Sequence, residues 1–130
     1  MIVMDTHTWW WAISEPDRLS SRAFALIKET LPAHRWISAV SIWEFAMMAV
    51  RGRIELKGSP KQWIDQALTN IGTQVVHING DIALDACTLP GDFHKDPFDR
   101  MIVATARHQR CVLVTADKKI LAYPNVNSAW

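Results

Sequence analysis

The chain is 130 residues long, 49% hydrophobic and 21% charged. That size and balance suit one packed domain over residues 1–130 and exclude a second core, a charge block or a low-complexity tail. A formal net charge of +1 argues against a module that binds nucleic acid through bulk charge, although Arg51, Arg53, Lys57 and Lys61 form one local basic stretch and Arg100, Arg107 and Arg110 another.

In chain order, short apolar runs alternate with helical stretches. A strand is predicted over Ile2 to Met4, followed by helices over Thr8 to Ser14 and Leu19 to Leu31. A second strand over Trp36 to Ser38 leads into a helix over Ser41 to Arg51, after which Gly52, Gly58 and Pro60 mark a short, mobile connection. Ser59 and Pro60 read as N-cap and first helical residue of a helix reaching Ile71, and Gly52 and Gly72 as helix stops. A strand over Gln74 to Ile78, a helix over Asp81 to Leu89 and a helix over Pro97 to Gln109 capped by Asp96 come next. A strand over Cys111 to Thr115 and an edge strand near Val126 complete the series. Alternation of this kind predicts an α/β domain with a central, mainly parallel sheet flanked by helices.

Cys87 and Cys111 lack CxxC spacing, which excludes a zinc knuckle or redox motif and leaves two buried reduced thiols as the expectation. Asp5 interrupts the first apolar run and no later run approaches ~18 residues, so neither a signal peptide nor a membrane span is expected and the cytoplasm is the expected location.

Four carboxylates abut apolar runs. Asp5 closes Ile2-Val3-Met4, Glu44 lies between Trp43 and Phe45, Asp99 between Pro97-Phe98 and Met101-Ile102-Val103, and Asp117 after Val112-Leu113-Val114-Thr115-Ala116. Burying unpaired negative charge is costly, and clustering it adds repulsion; a divalent cation relieves both. In an open α/β sheet, sites form beyond the carboxyl ends of the strands, where Asp5 and Asp117 fall. Glu44 and Asp99 join them if their helices start at the same edge. Each acid also has a purely local reading. Ser41 and Glu44 match a capping box, Asp99 suits a positive helix end, Asp117 suits a turn or cap, and Asp5 a strand-ending turn.

Seven tryptophans occur, three of them consecutive as Trp9-Trp10-Trp11. Successive helical side chains turn by about 100°, so at least one is expected at the surface as part of an apolar contact area; burial of all three by packing on both sides is the alternative.

Four segments carry a resemblance to a known family: Asp5-Thr6-His7, Ser41-Ile42-Trp43-Glu44, the run from His94 through Asp96, Asp99 and Arg100 to Ala104, and Thr115-Ala116-Asp117. Together, and over essentially the whole chain, they resemble PIN domains of the VapC-type toxin ribonucleases. The resemblance implies an acidic quartet of Asp5, Glu44, Asp99 and Asp117, with Asp99 in the family's third acidic position. Asp96 is then the cap of its helix, with a contact to the metal or to His94 as its other role. It further implies a cognate antitoxin that lays a helix and an extended tail over an apolar groove, a homodimer, and RNA as substrate, with transfer or ribosomal RNA loops as targets.

Carboxylate oxygens without Cys or His partners suit Mg²⁺, with Mn²⁺ as substitute, better than zinc. Asp5 and Asp99 are expected as the most direct ligands, Glu44 as the residue orienting a water or a second ion, and Asp117 as completing the set. Thr6 and Thr115 can lend hydroxyls, and Arg100, beside Asp99, can fork onto phosphate or simply offset the acids. His7 and His94 are not needed as general acid or base beside a metal-activated water. Three rivals remain open: a catalytically silent PIN-like domain that binds RNA or protein, a receiver-like domain phosphorylated on Asp5 with Thr115 and Lys118 as helpers, and a structure-specific DNA nuclease. The first would be favoured by loss of an acid, and none is missing; the second leaves Glu44 and Asp99 without roles.

Overall fold

Ile2, Val3 and Met4 form β1, and their alternation builds the molecule around them: Ile2 and Met4 point to one apolar layer and Val3 to the other. The computed structural model describes residues 1–130. β2 (Arg35–Ser38) and β4 (Val112–Val114) flank β1, with β3 (Gln74–Val76) and β5 (Ser128–Ala129) at the edges. All pairings are parallel, in the order β3-β2-β1-β4-β5. The expected mainly parallel α/β sheet is therefore parallel throughout, and its strand order reverses at β1.

Seven helices cover the two faces: α1 (Thr6–Ser14), α2 (Ser21–Glu29), α3 (Ala39–Val50), α4 (Pro60–Asn70), α5 (Gly80–Cys87), α6 (Pro97–His108) and α7 (Lys118–Leu121). On one face Trp9, Trp10, Ile27, Phe45 and Ala67 pack with Met4, Ile37 and Val114; on the other Ile102, Val103, Ile120 and Tyr123 pack with Val3 and Leu113. Each such side chain, fully buried, contributes roughly 1.5–3 kcal/mol.

Several boundaries moved for identifiable reasons. α1 begins at Thr6 because the Asp5 carboxylate caps it, and α3 begins at Ala39 because Ser38, not Ser41, is its N-cap. The expected capping box between Ser41 and Glu44 is thereby absent: both residues lie inside the helix. The N-cap predicted at Ser59 is present, and the structure adds a capping box with Gln62. Gly72 ends α4 at φ +66, and a Cβ there would stand 2.6 Å from Pro32 Cβ.

The tryptophan triplet is resolved by packing on both sides of α1. Trp9 is fully buried and Trp10 is 7% exposed, both against Phe45 and Trp63, whose rings stack at 3.9 Å. The contact-surface expectation is therefore corrected for Trp9 and Trp10, which are core. Trp11 alone is half-buried, between His7 and Trp130. Cys111 is buried, and burial pushes its thiol up to about 11; Cys87 is exposed, against expectation. No helix is long and apolar enough to cross a membrane.

Candidate active site

All four expected acids meet at the carboxyl edge of the sheet, lining one cavity of about 490 Å³ with Thr6, His7, Trp11, Arg18, Asp96 and Ile120. Parallel pairing places the end of β1 beside the end of β4, and α3 and α6 both start at this edge after their caps. Topology thus gathers residues that are far apart in sequence.

Asp5 follows β1 and is 8% exposed. Its Oδ1 accepts the Thr8 N–H at 2.8 Å, and its Oδ2 accepts the Thr115 hydroxyl. Burial raises its pKa above the ordinary aspartate value, and the hydrogen bonds from Thr115 and Thr8 oppose that rise. Thr115 in turn accepts the Asp117 N–H at 3.0 Å, so a short relay ties the ends of β1 and β4.

Glu44 sits one turn into α3, between exposed Trp43 and buried Phe45. The Thr6 hydroxyl donates to its Oε1 at 2.7 Å. Its pKa is also raised, first by burial, against the pull of Thr6. Asp117 caps α7 by accepting the N–H groups of Lys119 at 2.7 Å and Ile120 at 3.3 Å. Asp96 caps α6 through Phe98 and Asp99 N–H groups at 2.9 and 3.4 Å, as expected, while also facing the cavity.

Asp99 is the most perturbed of the set: burial first, then the charges of Asp96, Asp117, Glu44 and Asp5, push its carboxyl up to about 7. Asp96, Asp117, Glu44 and Asp5 all lie near enough to oppose its ionisation. His94 Nε2 lies 3.1 Å from Asp99 Oδ2, though out of line for a hydrogen bond. Its Nδ1 accepts the Asp96 N–H at 3.3 Å, which leaves Nε2 to carry the proton toward Asp99. This contact went unread in the sequence, where His94 is only a neighbour of the helix cap.

Arg100 does not join the pocket. Its guanidinium donates to the carbonyls of Ala86 (2.7 Å), Phe93 (3.1 Å), His94 (3.2 Å) and Cys87 (3.4 Å). The expected phosphate fork is thus corrected to a strap that ties the last carbonyls of α5 to α6. The cation that does line the cavity, Arg18, carries no motif in its Glu15-Pro16-Asp17-Arg18 setting that would have singled it out.

The donor set fits a hard divalent cation. It consists of partly desolvated carboxylate oxygens with no thiolate among them, and raised pKa values mark the negative charge as undercompensated. No three His, Cys, Asp or Glu side chains are gathered in coordination geometry; each carboxylate is turned instead to an N–H, an O–H or an imidazole of its own. Chemically the pocket can bind a cation and, through it, the oxygens of a phosphate ester.

Comparison with known proteins bears on the family and the fold. The family model described as PIN domain matches residues 2–126. Ribonuclease VapC22 of Mycobacterium tuberculosis is 32% identical over 131 residues, covering 99% of this chain and 98% of that protein. Among solved structures, a toxin-antitoxin complex from Klebsiella pneumoniae matches with a TM-score of 0.72 at 21% identity, covering 100% of this chain and 97% of that one. VapBC2 from Rickettsia felis, bound to a DNA fragment from its promoter, matches with a TM-score of 0.70 at 20% identity, covering 99% and 98%. At that identity the structural matches speak for the fold.

Proposed function

This chain belongs to the PIN-domain family, with a VapC-type ribonuclease as a full-length relative, and we propose that it is the toxin of a toxin-antitoxin pair, a Mg²⁺-dependent endoribonuclease. The observation that carries the reading is the convergence of Asp5, Glu44, Asp99 and Asp117 on one cavity, with Asp99 driven up to about 7 by burial and by the other acids. A structural cap has no use for such repulsion, whereas a cation site does.

Asp5 and Asp99 would hold the ion most directly, with Glu44 and Asp117 completing the set; Mn²⁺ would substitute. The chemistry a metal supplies there is polarisation of a phosphodiester and a lowered pKa for the attacking water. The chain's own residues prepare the site. Thr115 and Thr8 favour the ionised form of Asp5, and Thr6 fixes the rotamer of Glu44. Trp11, Ile102 and Ile120 wall the cavity and limit bulk water. Asp96 holds the start of α6, and with it Asp99, against the sheet edge.

The partners of this reading are RNA, with loops of transfer or ribosomal RNA as targets, a cognate antitoxin, and a second copy of the chain. The half-exposed Trp11 and the groove of about 590 Å³ that it shares with Met47, Met48 and Arg53 are the surface we assign to the antitoxin. The test is incubation of the purified, antitoxin-free chain with total small RNA, with Mg²⁺ or chelator, beside Asp99→Asn, mapping new ends. Discrete cuts that need both metal and Asp99 are expected; intact RNA with folded protein would favour a silent binding domain.

A further inference from the structure

We infer that Arg18 is a substrate-binding residue of the acidic pocket, taking a phosphate of single-stranded RNA that neighbours the one cut. The inference rests on the ribonuclease reading and deepens it by assigning the contact that lets a polyanion enter a pocket of carboxylates.

Arg18 is the one Lys or Arg side chain that lines the cavity holding the four acids. It also lines the adjoining groove, and the two hollows share His7, Trp11, Arg18 and Glu44. Arg18 therefore stands at their junction. A second arginine, Arg53, also lines that groove, together with Glu15 and Glu55, so the groove offers a phosphate backbone a second cation among its acids.

The side chain is held without being used up. Its guanidinium lies 4.4 Å over the Trp11 ring, a cation–π placement that fixes its plane. Nη1 donates to Glu15 Oε2 at 3.1 Å, and the other N–H groups have no partner within the chain. The side chain is 56% exposed. Arg100, Arg107 and Arg35 are the contrast: their guanidinium groups donate to backbone carbonyls, or to Asp85, through two or more nitrogens. An arginine with an open donor edge, permanently charged, suits the forked geometry of a phosphate. Single-stranded RNA is the form whose backbone can bend into such a hollow while its bases splay outward.

The test is binding of a short, fluorescently labelled single-stranded RNA of mixed sequence to the full chain. The chain is silenced by Asp99→Asn and carries native Arg18, Arg18→Lys or Arg18→Gln, with affinity followed by anisotropy from about 50 to 200 mM salt. Arg18→Gln is expected to lower the slope of log affinity against log salt by about 0.7, one phosphate on a single strand, and to weaken binding roughly tenfold at low salt. Arg18→Lys is expected to keep the slope while binding more weakly than the native residue. An unchanged slope in an Arg18→Gln protein that melts like its parent overturns the inference. It is equally overturned if that variant keeps its RNA slope but loses affinity for its cognate antitoxin, which assigns Arg18 to the partner surface. If native Arg18 protein binds no RNA and the chain with native Asp99 cuts none, the ribonuclease reading and this inference fall together; RNA binding with an unaltered slope removes the inference alone.

Discussion

The hydroxyl of Thr115, beyond β4, donates to the carboxylate of Asp5, beyond β1, while accepting the backbone N–H of Asp117. Among the hydrogen bonds that counter the effect of burial on Asp5, that of Thr115 is the largest. Thr115→Val is therefore expected to shift Asp5 further toward its protonated form and to cost about 1–3 kcal/mol, because a buried oxygen loses its partner. Cleavage should fall roughly tenfold or more near neutral pH, while Thr115→Ser keeps the bond and the activity. Denaturant melts and single-turnover cleavage of the two variants check both halves.

Asp99 has opposite effects on stability and on activity. Its folded carboxyl titrates at about 7, above the ordinary aspartate value of 3.8. Between those values the folded chain binds more protons than the unfolded one, so this group lowers stability as pH rises through the window and leaves it lowered above 7. Asp99→Asn removes the effect. In chelator at pH 8 it should melt higher than the parent by roughly 3–6 °C, a modest gain because 24% of the side chain remains exposed. The difference should vanish below about pH 4. The same variant is expected to be inactive and to lose the rise in melting temperature expected of the parent in Mg²⁺. Equal melting at both pH values would contradict this account of the pocket.

Arg100 is a stability residue on the geometry above. Arg100→Gln leaves carbonyls of Ala86, Cys87, Phe93 and His94 short of donors, with an expected loss of about 2–3 kcal/mol. The salt dependence of RNA binding, measured at a temperature where the variant is folded, should stay as in the parent. A reduced slope would return Arg100 to the phosphate role that its position beside Asp99 suggests.

The tryptophan triplet divides in the same way. Trp9→Ala opens a cavity between α1, α3 and α4 and is expected to cost about 3–5 kcal/mol. Trp11→Ala, at a half-exposed site, should cost about 1 kcal/mol or less and weaken antitoxin binding. Chemical denaturation and titration with the antitoxin separate the two; an antitoxin affinity indifferent to Trp11 would remove this groove as its seat.

Much of this was legible in the sequence because the relevant signals are local. Short apolar runs ending in Asp5 and Thr115 marked strand ends, and Asp96-Pro97 marked the start of α6. Glu44 was legible as a candidate, but its local reading was mistaken. Ser38 rather than Ser41 caps α3, and only the strand preceding it, which turns sharply into helix, decides between the two serines. Arg100 misled because adjacency in sequence is not adjacency in a helix, where the next side chain turns by about 100° and here reaches α5. The Asp96 contact with His94 was legible as one role of Asp96, but that of His94 with Asp99 and the placement of Arg18 were beyond reach, since they depend on how irregular segments approach the same cavity. α7 is too short for periodicity to register, and β5 falls two residues beyond the edge strand expected near Val126.

The bond between Thr115 and Asp5 spans 110 residues, and β1, the first of the five strands in chain order, is the middle one of the sheet. Pairing across so long a separation is slow relative to local contacts, because the intervening chain must be ordered first. A chain that ends before Thr115 therefore lacks the relay that positions Asp5 at the sheet edge.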